Sequence, residues 1–164
     1  MGMVWSARTA NERQLQELRA NSEVIPNFLN EISEYQNGNA IGLDKQWHAD
    51  HYLLTGSAGP TNSPLSLILG PFDTLGQDFG YGPAWVIPSN FLTNFNLALS
   101  RLTRTDLVER YDADGMVRDQ IYLGDTLKIE GEEGREYILE DIARIRKFAA
   151  TAAINSLSAI ALIS

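Results

Sequence analysis

The chain has 164 residues, of which 44% are hydrophobic and 21% are charged, and this composition is typical of one globular domain and excludes a disordered chain. It contains no cysteine, which excludes a disulfide framework, thiolate metal ligands and a cysteine nucleophile. The formal net charge of −8 repels nucleic-acid phosphates, so we expect no nucleic-acid partner and favour a protein partner with a basic surface.

Neither end of the sequence has the pattern of a membrane segment. Charged residues appear early, at Arg8 and Glu12, and leave no apolar run of signal-peptide length. The apolar stretch 149–164 is too short to span a bilayer and is interrupted by Asn155 and Ser156. We therefore expect a cytoplasmic protein without membrane contact.

The first third of the chain predicts one strand and two helices. The strand covers residues 3–8, and Thr9 and Glu12 have the spacing of a capping box that opens the first helix. Pro26 suits the first turn of the second helix. One apolar face of that second helix is formed by Phe28, Leu29, Ile32 and Tyr35.

A third helix is predicted from Asp44, as its N-cap, to Gly56, which closes it. Trp47, His51 and Leu54 recur at i, i+4 and i+7, the spacing of a helix face that turns toward a core. Ser63 and Pro64 then cap a short helix that carries Leu65, Ile68 and Leu69.

The second half predicts an ordered glycine-rich loop over 70–83, a strand over 84–87 and helices that start near Pro88 and Thr105. A turn is expected at Asp112–Gly115. A long helix over Glu132–Asn155 keeps a 3.6-residue apolar period, and the strand Ser158–Ile163 after it is apolar on both faces, which is typical of a central strand. The expected fold is α+β, a single compact domain of residues 1–164. Its small β-sheet is covered by several helices, and the long C-terminal helix is followed by a final strand.

Several blocks occur in an order that resembles the YfbM-like bacterial family, a domain of unknown function. They are the block 44–56, Pro64-Leu65 before Leu69-Gly70, the run 80–84, and Arg110-Tyr111-Asp112. The resemblance covers essentially the whole chain and implies a compact α+β domain of bacterial cytosolic type. It implies no reaction.

The third helix carries the sharpest local chemistry. Asp44, His48 and His51 lie at i, i+4 and i+7, a spacing at which imidazole and carboxylate groups bind a divalent ion or form a base oriented by an acid. The alternative is structural: Asp44 caps the helix, His51 is a hydrogen-bonded core residue and His48 is solvated. With two histidines in the chain, a three-histidine site is excluded. We predict no resident metal or cofactor, and His51, Asp44 and His48 are the candidate catalytic residues.

Four further residues are candidate ligand contacts. Lys45 and Trp47 flank the start of the third helix, where a cation and an aromatic ring suit a planar anion. Tyr81 and Trp85 lie in or beside the glycine-rich loop and are suited to line a pocket. The structural alternative is an exposed lysine, a buried tryptophan and glycines that permit positive φ in turns.

Two classes of function remain. The favoured one is a non-enzymatic binding module for a protein partner, of which an immunity-type protein that neutralises a toxin is one form, or for a small ligand. Its basic partner would meet the acids Glu130, Glu132, Glu133 and Glu136 at the start of the last helix. The alternative is a small enzyme or a metal- or anion-binding protein that uses Asp44, His48 and His51.

Overall fold

The sheet of the computed structural model, which describes residues 2–164, is antiparallel throughout and has the strand order β2-β1-β5-β4-β3. Its strands are β1 (Trp5–Ala10), β2 (Ala40–Leu43), β3 (Asp73–Leu75), β4 (Ala84–Ile87) and β5 (Ser158–Ile163). The prediction that Ser158–Ile163 is a central strand is confirmed, because β5 pairs with β1 on one side and with β4 on the other.

Both faces of this sheet are covered, and the pleat of β5 shows how. Ala159, Ala161 and Ile163 point into the larger core, whereas Ile160 and Leu162 point into the smaller one. The smaller core is closed by the first two helices and the larger core by all the helices from residue 47 onward. This is the predicted α+β fold in a single compact domain.

Residues 2–164 contain nine α-helices and one short 3-10 turn at Ser22–Val24. They are α1 (Glu12–Ala20), α2 (Ile25–Leu29), α3 (Ile32–Gln36), α4 (Trp47–Thr55), α5 (Ser89–Ser100), α6 (Arg104–Arg110), α7 (Ala113–Arg118), α8 (Gly124–Glu130) and α9 (Glu132–Ile154). The long last helix is confirmed to within one residue. No helix in the described part of the chain combines the length and the apolarity that a membrane crossing requires.

The predicted start of α1 is wrong. Thr9 is buried in β1, which stays extended to Ala10 because Ala10 pairs with Ser158 of β5. The cap is Asn11, whose side chain accepts from the backbone N–H of Gln14 at 2.9 Å while the Gln14 side chain accepts from the Asn11 N–H.

The predicted second helix is two short helices. The backbone of Glu31 is extended, at φ −70° and ψ 107°, so the chain breaks between α2 and α3. The four residues that we placed on one apolar face are therefore not equivalent, since Leu29 is 2% exposed and Ile32 is 73% exposed. The edge strand β2 that follows was not predicted.

The helix predicted after Pro64 does not form. Leu65 and Ile68 are buried as expected, but this segment is a series of turns. The buried Ser66 side chain donates to the carbonyl oxygen of Leu69 at 2.6 Å and accepts from the N–H of Thr61 at 3.2 Å. A serine side chain thus replaces the hydrogen bonds that a helix would make.

The stretch after α6 also differs from prediction. Asp112 caps α7 by accepting from the N–H of Gly115 at 2.8 Å, so the predicted turn is the start of a helix. The helix α8, which starts after Leu123 at φ 62°, was not predicted, and neither was β3 inside the 70–83 loop.

The central position of β5 predicts the effect of a deletion. Removing residues 131–164 takes away α9 and β5 together, which leaves β1 and β4 without their shared neighbour. We expect the shortened chain to lose its cooperative thermal transition and much of its helical circular dichroism. A truncated chain that still melts in one sharp transition would contradict this arrangement.

Candidate functional site

The helix α4 carries the sequence-predicted site, and it is buried almost all around. Seven of its nine residues, from Trp47 to Leu54 with His48 excepted, are buried. It packs between α6 and α9 and ends at Gly56, whose φ of 70° is the left-handed conformation that glycine favours at a helix end.

Asp44 does not cap this helix. The helix begins at Trp47, preceded by a turn in which the Trp47 N–H donates to the Asp44 carbonyl oxygen at 3.2 Å. Asp44 and Lys45 are exposed in that turn. The helical spacing that we assumed between Asp44 and His48 therefore does not apply, and no side chain caps the helix start.

Both histidines are hydrogen-bonded to the loop that follows α4. His48 Nδ1 accepts from the Tyr122 N–H at 3.0 Å, so Nε2 carries the proton and donates it to the Ala58 carbonyl oxygen at 2.7 Å. His51 Nε2 lies 2.9 Å from the Gly59 carbonyl oxygen and donates to it in the same way. The two imidazoles thus fix residues 58 and 59 against the helix, and His48 also fixes the segment before α8.

His51 is the more buried of the two, with no exposed surface. Burial lowers the pKa of His51, while its bond to Gly59 acts in the opposite direction. Its Nδ1 atom is buried without a partner among the described residues, as expected for a neutral ring. The expectation that His51 is buried with one hydrogen-bonded ring nitrogen is confirmed.

Trp47 is also buried, as expected, with 5% of its surface exposed. Its ring stacks on His48 with centroids 5.0 Å apart, and its Nε1–H donates to the Met3 carbonyl oxygen at 3.2 Å. The aromatic surface is therefore occupied by protein contacts, while Lys45 beside it is exposed.

The two aromatic candidates of the glycine-rich loop lie in different environments. Tyr81 is 54% exposed, whereas Trp85 is half-buried in β4 and packs against the larger core. The loop itself is closed by Asp78, whose Oδ1 accepts from the N–H groups of Gly80 at 2.7 Å and Gly82 at 3.0 Å. Both glycines have positive φ, so they serve the turn, as the structural alternative predicted.

Sequence reasoning missed the most unusual chemistry of α4, which is a buried pair of carboxyl groups. Asp50 has no exposed surface, Asp141 of α9 is 2% exposed, and the Asp141 carboxyl group acts on Asp50. Neither Asp50 oxygen receives a hydrogen bond from any donor in the described chain, whereas Asp141 Oδ1 accepts from Arg144 Nη1 at 2.6 Å. Arg144 also donates to the Gly42 carbonyl oxygen of β2.

We expect two interacting carboxyl groups inside a protein to hold one proton between them, because two buried negative charges repel each other. Burial raises the pKa of Asp50 well above its usual value, and the charge of Asp141 raises it further. Burial also raises the pKa of Asp141, but the Arg144 guanidinium opposes this shift. We therefore expect Asp50 to hold the shared proton and to direct it toward the Asp141 carboxylate.

No group of three or more histidine, aspartate or glutamate side chains within residues 2–164 has the geometry to hold a metal ion. The polar groups of α4 hold the following loop against the helix and place the buried Asp50 toward Asp141 of α9. The protein is thus an α+β domain whose polar residues on the central helix face inward.

The chain belongs to the family described as domain of unknown function DUF1877, which it matches over residues 1–162. The resemblance to the YfbM-like family is thereby confirmed. A crystal structure of YfbM from Escherichia coli, itself described as a protein of unknown function, superposes with a TM-score of 0.74 at 19% sequence identity. The match covers 98% of this chain and 99% of that one, and it shows a shared fold. No curated protein matches the chain.

The burial of Trp47 predicts a large loss of stability in Trp47→Ala. The substitution leaves a cavity in the larger core and removes the bond to Met3, so we expect the free energy of unfolding to fall by about 3–5 kcal/mol. Urea unfolding followed by circular dichroism measures this change. A loss below about 1 kcal/mol would contradict the packing described for this ring.

His51→Ala tests whether this histidine is structural. Because the carbonyl oxygen of Gly59 loses its buried donor, we expect the free energy of unfolding to fall by about 1–3 kcal/mol. The loss should shrink below pH 6, where the unfolded wild-type chain binds a proton at His51 that the folded chain resists. A variant that melts with the wild type would instead favour a functional role for His51.

The shared proton predicts how stability depends on pH. Because the folded pKa of Asp50 is raised, its contribution is complete below the unfolded pKa and falls as pH rises toward the folded pKa, by up to about 1.4 kcal/mol per pH unit. Asp50→Asn keeps a neutral donor toward Asp141 and should remove this slope. Urea unfolding between pH 4 and 9 measures it, with the exposed Asp73→Asn as control. Parallel profiles for wild type and Asp50→Asn would exclude the shared proton.

Proposed function

We propose that the protein is a non-enzymatic binding module that recognises a protein partner with a basic surface. The observation that supports this is a set of exposed residues at the end of α8 and along α9, which we call the acidic face: Ile129, Glu130, Glu133, Tyr137 and Glu140. In a chain of net charge −8, this face attracts basic surfaces and speeds their encounter.

The charges of the acidic face are available for a partner. Glu133, Tyr137 and Glu140 share one side of α9, because they follow each other at i, i+4 and i+7. All three glutamates of the face are exposed and make no ion pair within residues 2–164. The neighbouring Glu136, by contrast, is paired with Arg104 and Arg135.

The acidic face also offers apolar area. Ile129 is 87% exposed and Tyr137 is 45% exposed, although both residue types are favoured in protein interiors or interfaces. Exposed aromatic and aliphatic side chains among charged ones are typical of a binding surface. The charges speed the encounter with the partner, and the apolar groups provide much of the affinity.

The alternative of a small enzyme, or of a metal- or anion-binding protein, on Asp44, His48 and His51 has less support. Both histidines use Nε2 to hold the loop after α4, and His51 has no exposed surface for a substrate to reach. The cytoplasm is the compartment that we expect for the module. A toxin with a basic surface is one partner of suitable chemistry, and a toxin-encoding neighbouring gene would favour it.

The test is the capture of a partner by the immobilised protein from a lysate of its source organism. We expect the wild type to retain a basic protein at low salt and to release it at high salt. The variant Glu133→Lys/Tyr137→Ala should lose at least about tenfold in affinity for that purified protein, since it removes one anchor and reverses one charge.

The matched control is Glu23→Lys, because Glu23 is exposed in the turn after α1, on the opposite side of the sheet. It changes the net charge by the same two units and should keep the affinity within about twofold at moderate salt. Equal losses in the two variants would show that only net charge matters, and a lysate that yields no partner at low salt would exclude the proposal.

A further inference from the structure

A cleft of about 280 Å³ opens between the start of α5 and the chain segments on either side of residues 64–70. Its lining comes from three short stretches of the chain, near residues 62, 71 and 90, and contains no charged side chain. It shares no residue with the acidic face or with the polar groups of α4. The cleft is therefore a separate site, which stands whether or not the acidic face binds a protein.

Two phenylalanines form an open aromatic corner in this cleft. Phe72 and Phe91 are half-buried, and their rings meet edge to face, with centroids 4.9 Å apart and planes at 83°. Phe91 also stacks on the buried Phe95 with centroids 6.4 Å apart, so the corner is fixed on the larger core. Part of each lining ring stays exposed. A corner of perpendicular rings suits a ligand with C–H groups on more than one side, rather than a flat heterocycle.

Four neutral polar side chains surround the aromatic corner, and none of them donates a hydrogen bond within residues 2–164. Asn62 and Asn90 are exposed, and their carboxamide groups have no partner in this part of the chain. The Thr61 hydroxyl oxygen accepts from the Ser63 N–H, and the Ser63 hydroxyl oxygen accepts from the Leu65 N–H, both at 3.1 Å. The two oxygens are thus fixed while their protons are free for another acceptor.

The loop that carries these hydroxyl groups is held from behind. The Thr61 N–H donates to the buried Ser66 hydroxyl oxygen at 3.2 Å, and Ser66 donates to the Leu69 carbonyl oxygen at 2.6 Å. Pro71 and Pro88 restrict the backbone at the other two lining stretches. Binding in this cleft therefore requires little additional ordering of the chain, which favours affinity.

The lining also determines the charge of a suitable ligand. An anion would meet no cationic side chain there, in a protein of net charge −8 that repels it. A cation would meet no carboxylate in the lining. The ligand that fits is neutral and carries several hydrogen-bonding groups around an apolar body.

We propose that this cleft binds a neutral monosaccharide, whose C–H groups contact Phe72 and Phe91 and whose hydroxyl groups bond to Asn62, Asn90 and the two fixed hydroxyls. Sugar hydroxyl groups both donate and accept, which matches carboxamides that do the same and hydroxyls that have a proton to donate. The cleft has the volume of about nine water molecules, which is enough for one pyranose ring.

The experiment is a titration of the full chain with the methyl glycosides of glucose, galactose and mannose in turn, followed by nitrogen-15 and proton NMR of the backbone amides. For at least one of them we expect a dissociation constant on the order of millimolar, with shifts centred on residues 61–63, 71–72 and 88–91. Cyclohexanol keeps a saturated ring but has one hydroxyl group, and methyl glucuronide adds a negative charge. Each should bind at least about fivefold more weakly.

The variant Asn62→Ala/Asn90→Ala tests the residues themselves. It removes two carboxamides that make no internal hydrogen bond, so it should weaken glycoside binding by about tenfold and leave the thermal transition unchanged. Asn94→Ala is the matched control, because Asn94 is exposed one turn further along α5, does not line the cleft and should be replaceable without loss of affinity.

Three results would each overturn the proposal. They are the absence of saturable shifts at the lining residues with all three glycosides, equal affinity for cyclohexanol or methyl glucuronide, and an equal loss of affinity in Asn94→Ala and Asn62→Ala/Asn90→Ala.

Discussion

The pairing of β5 with both β1 and β4 is the constraint on which the rest of the structure depends. A strand with two neighbours and two buried faces needs small or aliphatic side chains along its whole length, and the sequence Ser-Ala-Ile-Ala-Leu-Ile provides them. Because β5 follows α9 directly, its position also fixes α9 across the larger core. The exposed side of α9, which carries Glu133, Tyr137 and Glu140, is therefore held in place by the packing of its inner side.

Polar groups inside the larger core follow from the same packing. The helix α4 lies between α6 and α9 with almost no exposed side, so its polar residues need hydrogen-bond partners inside the protein. The two histidines are hydrogen-bonded to carbonyl oxygens in the following loop, and Asp50 interacts with the carboxyl group of Asp141. A block of residues that resembles a catalytic motif in sequence is in this way a set of internal connections.

Sequence patterns predicted the elements that are long enough for a periodic pattern to repeat several times. The 23-residue helix α9, the strand β5 and the core position of Trp47 and His51 follow from periodicity over many residues. Short elements failed because tertiary pairing decides them. Thr9 has a good capping residue type, but β5 holds it in a strand, and the four residues of β2 carry too little pattern to stand out.

The candidate site was predicted only in part for a similar reason. Periodicity showed that His51 faces inward, but it does not show which carbonyl oxygen a loop brings to the ring. Asp50 gave no signal because its partner Asp141 is 91 positions away in sequence, on a helix whose apolar stripe suggested only packing. An aspartate between tryptophan, histidine and leucine on a core helix was the available sign, since an acid in that position requires a partner.

The central strand also sets the order of events during synthesis. Trp5 of β1 pairs with Ile163 of β5, so about 160 residues must leave the ribosome after Trp5 before that edge of β1 is covered. At roughly 5–20 residues per second, translation takes about 8–30 s over this distance. Throughout this interval the edge of β1 that β5 will occupy is unpaired and can pair with other nascent strands.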